Sequence, residues 1–120
     1  MKKILVVEDN EDNFYLIRFI LENNGFEVIE ARNGNSGVEL AIKEKPDLII
    51  MDIQLPDING LEVTKKIRSS KVDRSLPIVA ITSYAMTGDK ENALAAGCNG
   101  YIEKPIDPEN ILAEINKFFT

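Results

Sequence analysis

The chain has 120 residues, 20 of them acidic and 14 basic, with no histidine, a single cysteine and a formal net charge of −6. That length suits one domain with a core of its own. The lone Cys98 excludes an internal disulfide and a cysteine metal cluster, and the acidic balance argues against non-specific nucleic-acid binding and against docking on anionic membranes.

The opening Met1-Lys2-Lys3 precedes only four apolar residues, too few for a signal peptide, and no stretch approaches a membrane span. A cytoplasmic protein is expected. The first strand is read over Lys3 to Val7, followed by a helix with Leu16, Ile17, Ile20 and Leu21 at helical spacing and Gly25 as its stop. A second strand is expected from Phe26 to Glu30. After the Asn33-Gly34 turn, a second helix carries Val38, Ala41 and Ile42 inward and halts before Pro46.

The third strand, Leu48 to Met51, is apolar throughout, as for a strand covered on both faces, and Asp52 ends it. A loop with Pro56 and Gly60 leads to a third helix ending near Ser70. Pro77 introduces a fourth strand, Ile78 to Ile81, which Thr82 ends; a fourth helix runs from about Ala85 to Ala96 and stops at Gly97. A short fifth strand, Gly100 to Ile102, precedes Lys104-Pro105. The last helix has Asp107 as N-cap and Pro108 at its first position, with Ile111, Leu112, Ile115 and Phe119 as its apolar face. This alternation predicts one α/β domain over residues 1–120, a (βα)₅ unit with a parallel five-stranded sheet between two helical layers.

Asp9, Asp52, Thr82 and Lys104 all stand at or just past the C-terminal ends of different strands. In an open parallel sheet those ends share one edge, and ligands bind there where the strand order reverses. In the flavodoxin-like order 2-1-3-4-5 the crevice opens between strands one and three, which end in Glu8-Asp9 and in Asp52. Strands lie about 4.8 Å apart, and two unit charges at about 4 Å repel by about 4 kcal/mol at an effective dielectric near 20. A hard divalent cation relieves that repulsion, and Mg²⁺ favours one or two carboxylates with a carbonyl, waters and phosphate oxygens. Lys104 adds a positive charge and Thr82 a hydroxyl. Carboxylate nucleophile, Mg²⁺, lysine and hydroxyl together suit phosphoryl transfer.

The acidic pair after the first strand, the PDLIIMDIQLPDINGLE stretch, Thr82-Ser83 and Lys104-Pro105 together resemble a response regulator receiver domain of two-component signalling, over essentially the whole chain. VEDNEDN, MDIQLP with GLEVTKKI, and YAMTGD followed by AAGCNGYIEKPI are most similar to single-domain DivK-like regulators; receivers fused to hybrid histidine kinases resemble the chain almost as well.

The resemblance implies that Asp52 is the phosphoacceptor, attacking a phosphohistidine on a partner. It implies that Asp9, Asp52 and the Gln54 backbone carbonyl bind Mg²⁺, with Glu8 acting through water, and that Lys104 holds a phosphoryl oxygen beside a cis bond to Pro105. Thr82 and Tyr101 would shift together and alter the surface of the fourth helix, fifth strand and fifth helix. Gln54 and Tyr84 would occupy the two variable positions that influence acyl-phosphate lifetime. The implied partners are a histidine kinase or histidine phosphotransfer protein and a downstream protein target, with a monomeric chain and no nucleic acid or membrane. Lacking histidine, the chain can only be the receiving half of such a relay. A standalone regulator is expected, with a receiver excised from a hybrid histidine kinase or larger regulator as the alternative.

Competing readings fit less well. Glu11 and Asp12 are expected to serve the first helix, whose N-terminus favours carboxylates. An EF-hand over Asp9, Glu11 and Asn13 fails, since Phe14 replaces the required glycine and Ile20 the closing glutamate. A haloacid-dehalogenase phosphatase needs an acid two positions after its nucleophile, where this chain has Gln54. A flavodoxin needs a phosphate-cradling loop, and the acidic one here would repel the phosphate. Cys98 is expected to be a small buried filler and Asp47 to satisfy backbone donors at a strand entrance.

Overall fold

The computed structural model describes residues 1–70, 72, 75–82 and 88–119. Five strands alternate with five helices: β1 (Lys3–Val7), α1 (Glu11–Asn23), β2 (Glu27–Ala31), α2 (Gly34–Glu44), β3 (Leu48–Asp52), α3 (Gly60–Ser69), β4 (Ile78–Thr82), α4 (Asp89–Ala96), β5 (Gly100–Glu103) and α5 (Pro108–Asn116). All pairings are parallel, in the order β2-β1-β3-β4-β5. The chain steps outward from β1 to β2, then returns across β1 to β3. The crevice between β1 and β3 is therefore the point where the order reverses.

Alternation along the strands feeds two apolar layers. Ile4, Val6, Leu48, Ile50 and Ile81 pack against Phe14, Ile17 and Leu21 of α1 and Ile111 and Ile115 of α5. Leu5, Val7, Ile49, Met51 and Ala80 pack against Ala41, Val63, Ile67 and Ala93 of α2, α3 and α4. Cys98 is buried in this second layer as filler. Asp47 accepts the Lys3 N–H at 2.8 Å, as expected at the strand entrance.

Two helical side chains expected inside are outside. Leu16 is 39% exposed and Ile42 44%. At about 100° per residue, Leu16 stands well round from the Phe14–Ile17–Leu21 stripe, and Phe14 takes the inward place. On α2 the inward residues are Gly34, Gly37 and Ala41. A Cβ on Gly37 would lie 3.0 Å from a Val7 methyl, so α2 sits too close to the sheet for a large side chain, and Ile42 is displaced to the flank.

Strand ends shift by a residue. β2 begins at Glu27, paired with Lys3, which leaves Phe26 outside to stack at 5.7 Å on Phe119. Phe119 itself lies beyond the end of α5 yet still joins the α1–α5 layer. Asp52, Thr82 and Glu103 are the last residues of their strands. The fourth helix was expected from about Ala85; α4 is assigned from Asp89, after Gly88 at φ 91°. Ser83, Tyr84 and Ala85 lie outside the described residues.

α3 begins flat against the third strand. Gly60 donates its N–H to the Ile53 carbonyl at 2.7 Å, and a Cβ there would come within 2.1 Å of the Asp52 carbonyl oxygen. Backbone cannot yield as a side-chain tip can. Gly60→Ala should therefore cost about 3 kcal/mol, as overpacking at a rigid contact does, read in urea unfolding. A variant of parental stability would show that α3 is free to move away from Asp52.

Candidate functional site: an acidic crevice with one lysine

One residue beyond the Val7–Met51 register pair stand Glu8 and Asp52. Both are carried by strand alternation to the α1–α5 side, and both are nearly dry, at 1% and 2% exposure. Asp9, next in the chain, is exposed at the mouth. Glu8, Asp9 and Asp52 each offer an oxygen, all within 4.8 Å of one another.

Lys104 follows β5, where its N–H donates to the Thr82 carbonyl at 2.7 Å. Its ammonium lies 3.2 Å from Glu8 Oε2 and 3.5 Å from Asp52 Oδ2, and its bond to Pro105 is cis. Backbone donors complete the set: Asn10 N–H to Glu8 Oε1 at 3.2 Å and Gln54 N–H to Asp52 Oδ1 at 3.1 Å. The ammonium donates to Glu8 Oε1 and to Asp52 Oδ2, each at 3.5 Å, while the buried Glu8 Oε2 accepts no hydrogen bond among the described residues and pairs with Lys104 only electrostatically.

The crevice opens as a cleft of about 500 Å³ lined by Glu8, Asp9, Asp52, Gln54 and Lys104, together with Asn10, Asn13 and Pro105. Asn10 was not singled out from the sequence, although it directly follows the acidic pair. Asn10 is the N-cap of α1, accepting the Asn13 N–H at 2.9 Å, with Glu11 and Asp12 in the first turn. Those two carboxylates serve the helix, as expected. A larger hollow of about 710 Å³ lies at the opposite edge, around Pro46, Leu76 and Pro77. Its carboxylate, Asp47, is already engaged by Lys3, so the chemistry belongs to the smaller cleft.

Thr82 and Tyr101 fall on the other face. In their strands they continue the rows of Ala80 and Val7, toward α2, α3 and α4. Thr82 is buried at 2% exposure. Tyr101 is half-buried, and its hydroxyl is enclosed without a hydrogen-bond partner among the described residues. Burial, then Asp89 and Glu103, push its phenol pKa up.

The electrostatics are unbalanced: among the described residues three carboxylates face one ammonium. Burial first, then the neighbouring Asp52, raise the Glu8 carboxyl from 4.5 to about 7, with Lys104 and the Asn10 N–H opposing. Hard oxygen donors short of positive charge, one of them buried without a hydrogen bond, fit a divalent cation.

A family profile described as the response regulator receiver domain matches residues 4–116. The polar-differentiation response regulator DivK of Brucella anthropi is 44% identical over 117 residues, covering 98% of this chain and 95% of that one. A CheY-like response regulator receiver domain protein from Methanospirillum hungatei superposes with a TM-score of 0.90 at 31% identity, over 98% of this chain and 92% of the other. The receiver domain of a sensor histidine kinase from Pseudomonas aeruginosa, with a magnesium ion coordinated in its active-site cleft, gives 0.90 at 35% identity, over 98% and 96%. Among the described residues, no helix is long and apolar enough to cross a membrane.

In the metal-free protein Glu8 holds its proton to about 7, whereas an unfolded chain releases it near 4.5. The folded state binds more protons in that window, so the contribution is complete below 4.5 and lost as pH rises through 7. Urea titrations should show the metal-free parent losing about 3 kcal/mol between about pH 5 and about pH 8. Glu8→Gln should flatten that loss, and an unchanged slope would place the titrating group elsewhere. Tyr101→Phe removes a buried hydroxyl that has no partner among the described residues and should raise the urea midpoint by the equivalent of about 1 kcal/mol. A lower midpoint would mean the hydroxyl has a partner after all.

Proposed function

Because this chain belongs to the response regulator receiver domain family, we propose that it is a phosphoacceptor switch in which Asp52 accepts a phosphoryl group from a phosphohistidine on a partner protein. The observation that carries the reading is Asp52 itself. It is a nearly dry carboxylate at the strand-order reversal, 3.5 Å from the only ammonium lining the cleft among the described residues.

In the transfer, an Asp52 carboxylate oxygen attacks phosphorus, the bond from phosphorus to the imidazole nitrogen breaks, and an acyl phosphate forms as the imidazole leaves. Hydrolysis reverses the switch: water attacks the phosphorus, the bond from phosphorus to the Asp52 oxygen breaks, and the Asp52 carboxylate is regenerated with free phosphate. Positioning and charge neutralisation carry most of the catalysis in such transfers. Lys104, already poised between Glu8 and Asp52, can turn its ammonium to a phosphoryl oxygen. Gln54 fixes one Asp52 oxygen through its N–H and so orients the nucleophile.

Asp9, Asp52 and the Gln54 carbonyl would hold Mg²⁺, with Glu8 behind them through water. When bound, the ion neutralises carboxylate and phosphoryl charge that Lys104 alone cannot balance.

Thr82 and Tyr101 would carry the state outward. They occupy adjacent strands on the opposite face of the sheet from Glu8 and Asp52, beside α4. Among the described residues Tyr101 has no hydrogen bond holding its hydroxyl inside, which supports a side chain with two accessible positions. A shift there would remodel the surface of α4, β5 and α5 for a downstream protein. The expected partners are a histidine kinase or phosphotransfer protein and that target, with the chain acting as a monomer in the cytoplasm. The 44% identity to DivK over 95% of its length supports a single-domain regulator over a receiver drawn from a hybrid kinase.

The test is intact mass after incubation with Mg²⁺ and a small acyl-phosphate donor. One added phosphoryl group on the parent, dependent on Mg²⁺ and absent from Asp52→Asn, is expected; equal labelling of Asp52→Asn would overturn the assignment. Lys104→Ala should slow phosphorylation by about a hundredfold while changing Mg²⁺ affinity far less. Equal losses in both would make Lys104 a support for the metal pocket and not for the phosphoryl group.

A further inference from the structure

The segment that joins Asp52 to α3, residues 53–59, is fixed at both ends of its excursion. At its base, Ile53 N–H donates to the Ile81 carbonyl at 3.0 Å and Gly60 N–H to the Ile53 carbonyl at 2.7 Å. Near its far end, Asp57 uses both carboxylate oxygens on the start of α2. Oδ1 accepts the Gly34 N–H at 2.8 Å, and Oδ2 accepts the Asn35 N–H at 2.9 Å.

α2 has its own cap. Asn33 accepts the Ser36 N–H at 2.9 Å, which is the usual way one orphan donor of a helix start is satisfied. Asp57 takes two further orphan amides from a different part of the chain. Those bonds hold its carboxyl below the usual range. Ile58 closes the same joint: a Cβ on Gly34 would lie 2.6 Å from Ile58 Cγ1, so the loop and the helix start are in direct contact.

We infer that Asp57 is a positioning residue for the acidic crevice: by clasping the first two amides of α2, it holds the 53–59 loop where Gln54 can donate to Asp52 Oδ1 and turn its carbonyl toward the metal. This rests on the proposed phosphoacceptor function and deepens it. Asp57 lies five residues from Asp52 and three from Gln54, and it touches neither substrate nor metal. Coupling of this kind is reciprocal. Occupation of the crevice therefore tightens the clasp, and the start of α2 senses the state of the site independently of Thr82 and Tyr101.

The experiment compares the parent with Asp57→Ala, Asp57→Asn and Asn33→Ala. Asn33→Ala weakens the start of α2 without cutting the loop tether, so it separates helix stability from loop positioning. In metal-free protein, hydrogen exchange at the Gln54 amide should quicken by about tenfold in Asp57→Ala and stay parental in Asn33→Ala. Calorimetric Mg²⁺ titration should show affinity about tenfold weaker in Asp57→Ala, with partial recovery in Asp57→Asn, which keeps an acceptor. In the parent, Mg²⁺ should slow exchange at Gly34 and Asn35.

Parental Mg²⁺ affinity and Gln54 exchange in Asp57→Ala would overturn the inference, as would equal losses in Asn33→Ala. Should Asp57→Ala fail to fold, Asp57→Asn decides: it must weaken Mg²⁺ binding and quicken Gln54 exchange, or the inference falls. If the parent itself neither binds Mg²⁺ nor takes a phosphoryl group, the proposed function fails, while metal-free Gln54 exchange still reads the clasp.

Discussion

Lys104 reaches within 3.2 Å of Glu8 and 3.5 Å of Asp52, and this one ammonium holds together a group of carboxylates that would otherwise repel. Two of the three are almost fully withdrawn from water. Burying paired charge stabilises little by itself, because desolvation offsets most of the attraction. The arrangement makes physical sense as a site kept short of positive charge. Glu8 answers that shortage by holding a proton to about 7, and a cation or a phosphoryl group with its metal would answer it differently. The crevice thus has several charge states separated by small chemical events.

The surrounding fold is arranged around that strain by close approach. Gly60 lays the first turn of α3 against the Asp52 carbonyl, and Gly37 lets α2 settle on Val7. The strands of β3 and β4 are buried throughout, so their C-terminal ends cannot drift apart to relieve repulsion. Stiffness below the site leaves response to its rim, the 53–59 loop and the turn after β5. The loop is tied to α2 by Asp57, and the turn after β5 is tied to β4 by the Lys104 N–H on the Thr82 carbonyl.

The two faces of the sheet divide the labour. Glu8, Asp52 and Lys104 lie on the α1–α5 side, while Thr82 and Tyr101 lie in rows that face α2, α3 and α4. A chemical change on one face can reach the other only through strand ends, where Thr82 is one strand from Asp52 and bonded through its carbonyl to Lys104. The Tyr101 hydroxyl, without a partner among the described residues, marks a weakly committed point of the second face.

Much of this was legible in the sequence. Apolar runs of strand length alternating with helical periods determined a parallel α/β sheet, because parallel strands need crossover helices that cover both faces of the sheet. Carboxylates at two strand ends and a lysine at a third determined an acidic cluster facing one ammonium, because parallel strands all end on one edge. Local signals held wherever the physics is local, as with Asp107 capping α5 and Glu11 and Asp12 lying in the first turn of α1. Periodicity failed where distance between elements decides burial. Leu16 and Ile42 are apolar at helical spacing, yet Phe14 and the small residues of α2 occupy the inward positions. Sequence spacing likewise cannot say which carboxylate of Glu8 and Asp9 is dry, since that depends on the direction in which β1 ends. Nor can it show Asp57 reaching back to Gly34 and Asn35, a contact between segments more than twenty residues apart. Such choices belong to the tertiary structure, because each is set by how closely two elements approach and not by what either contains.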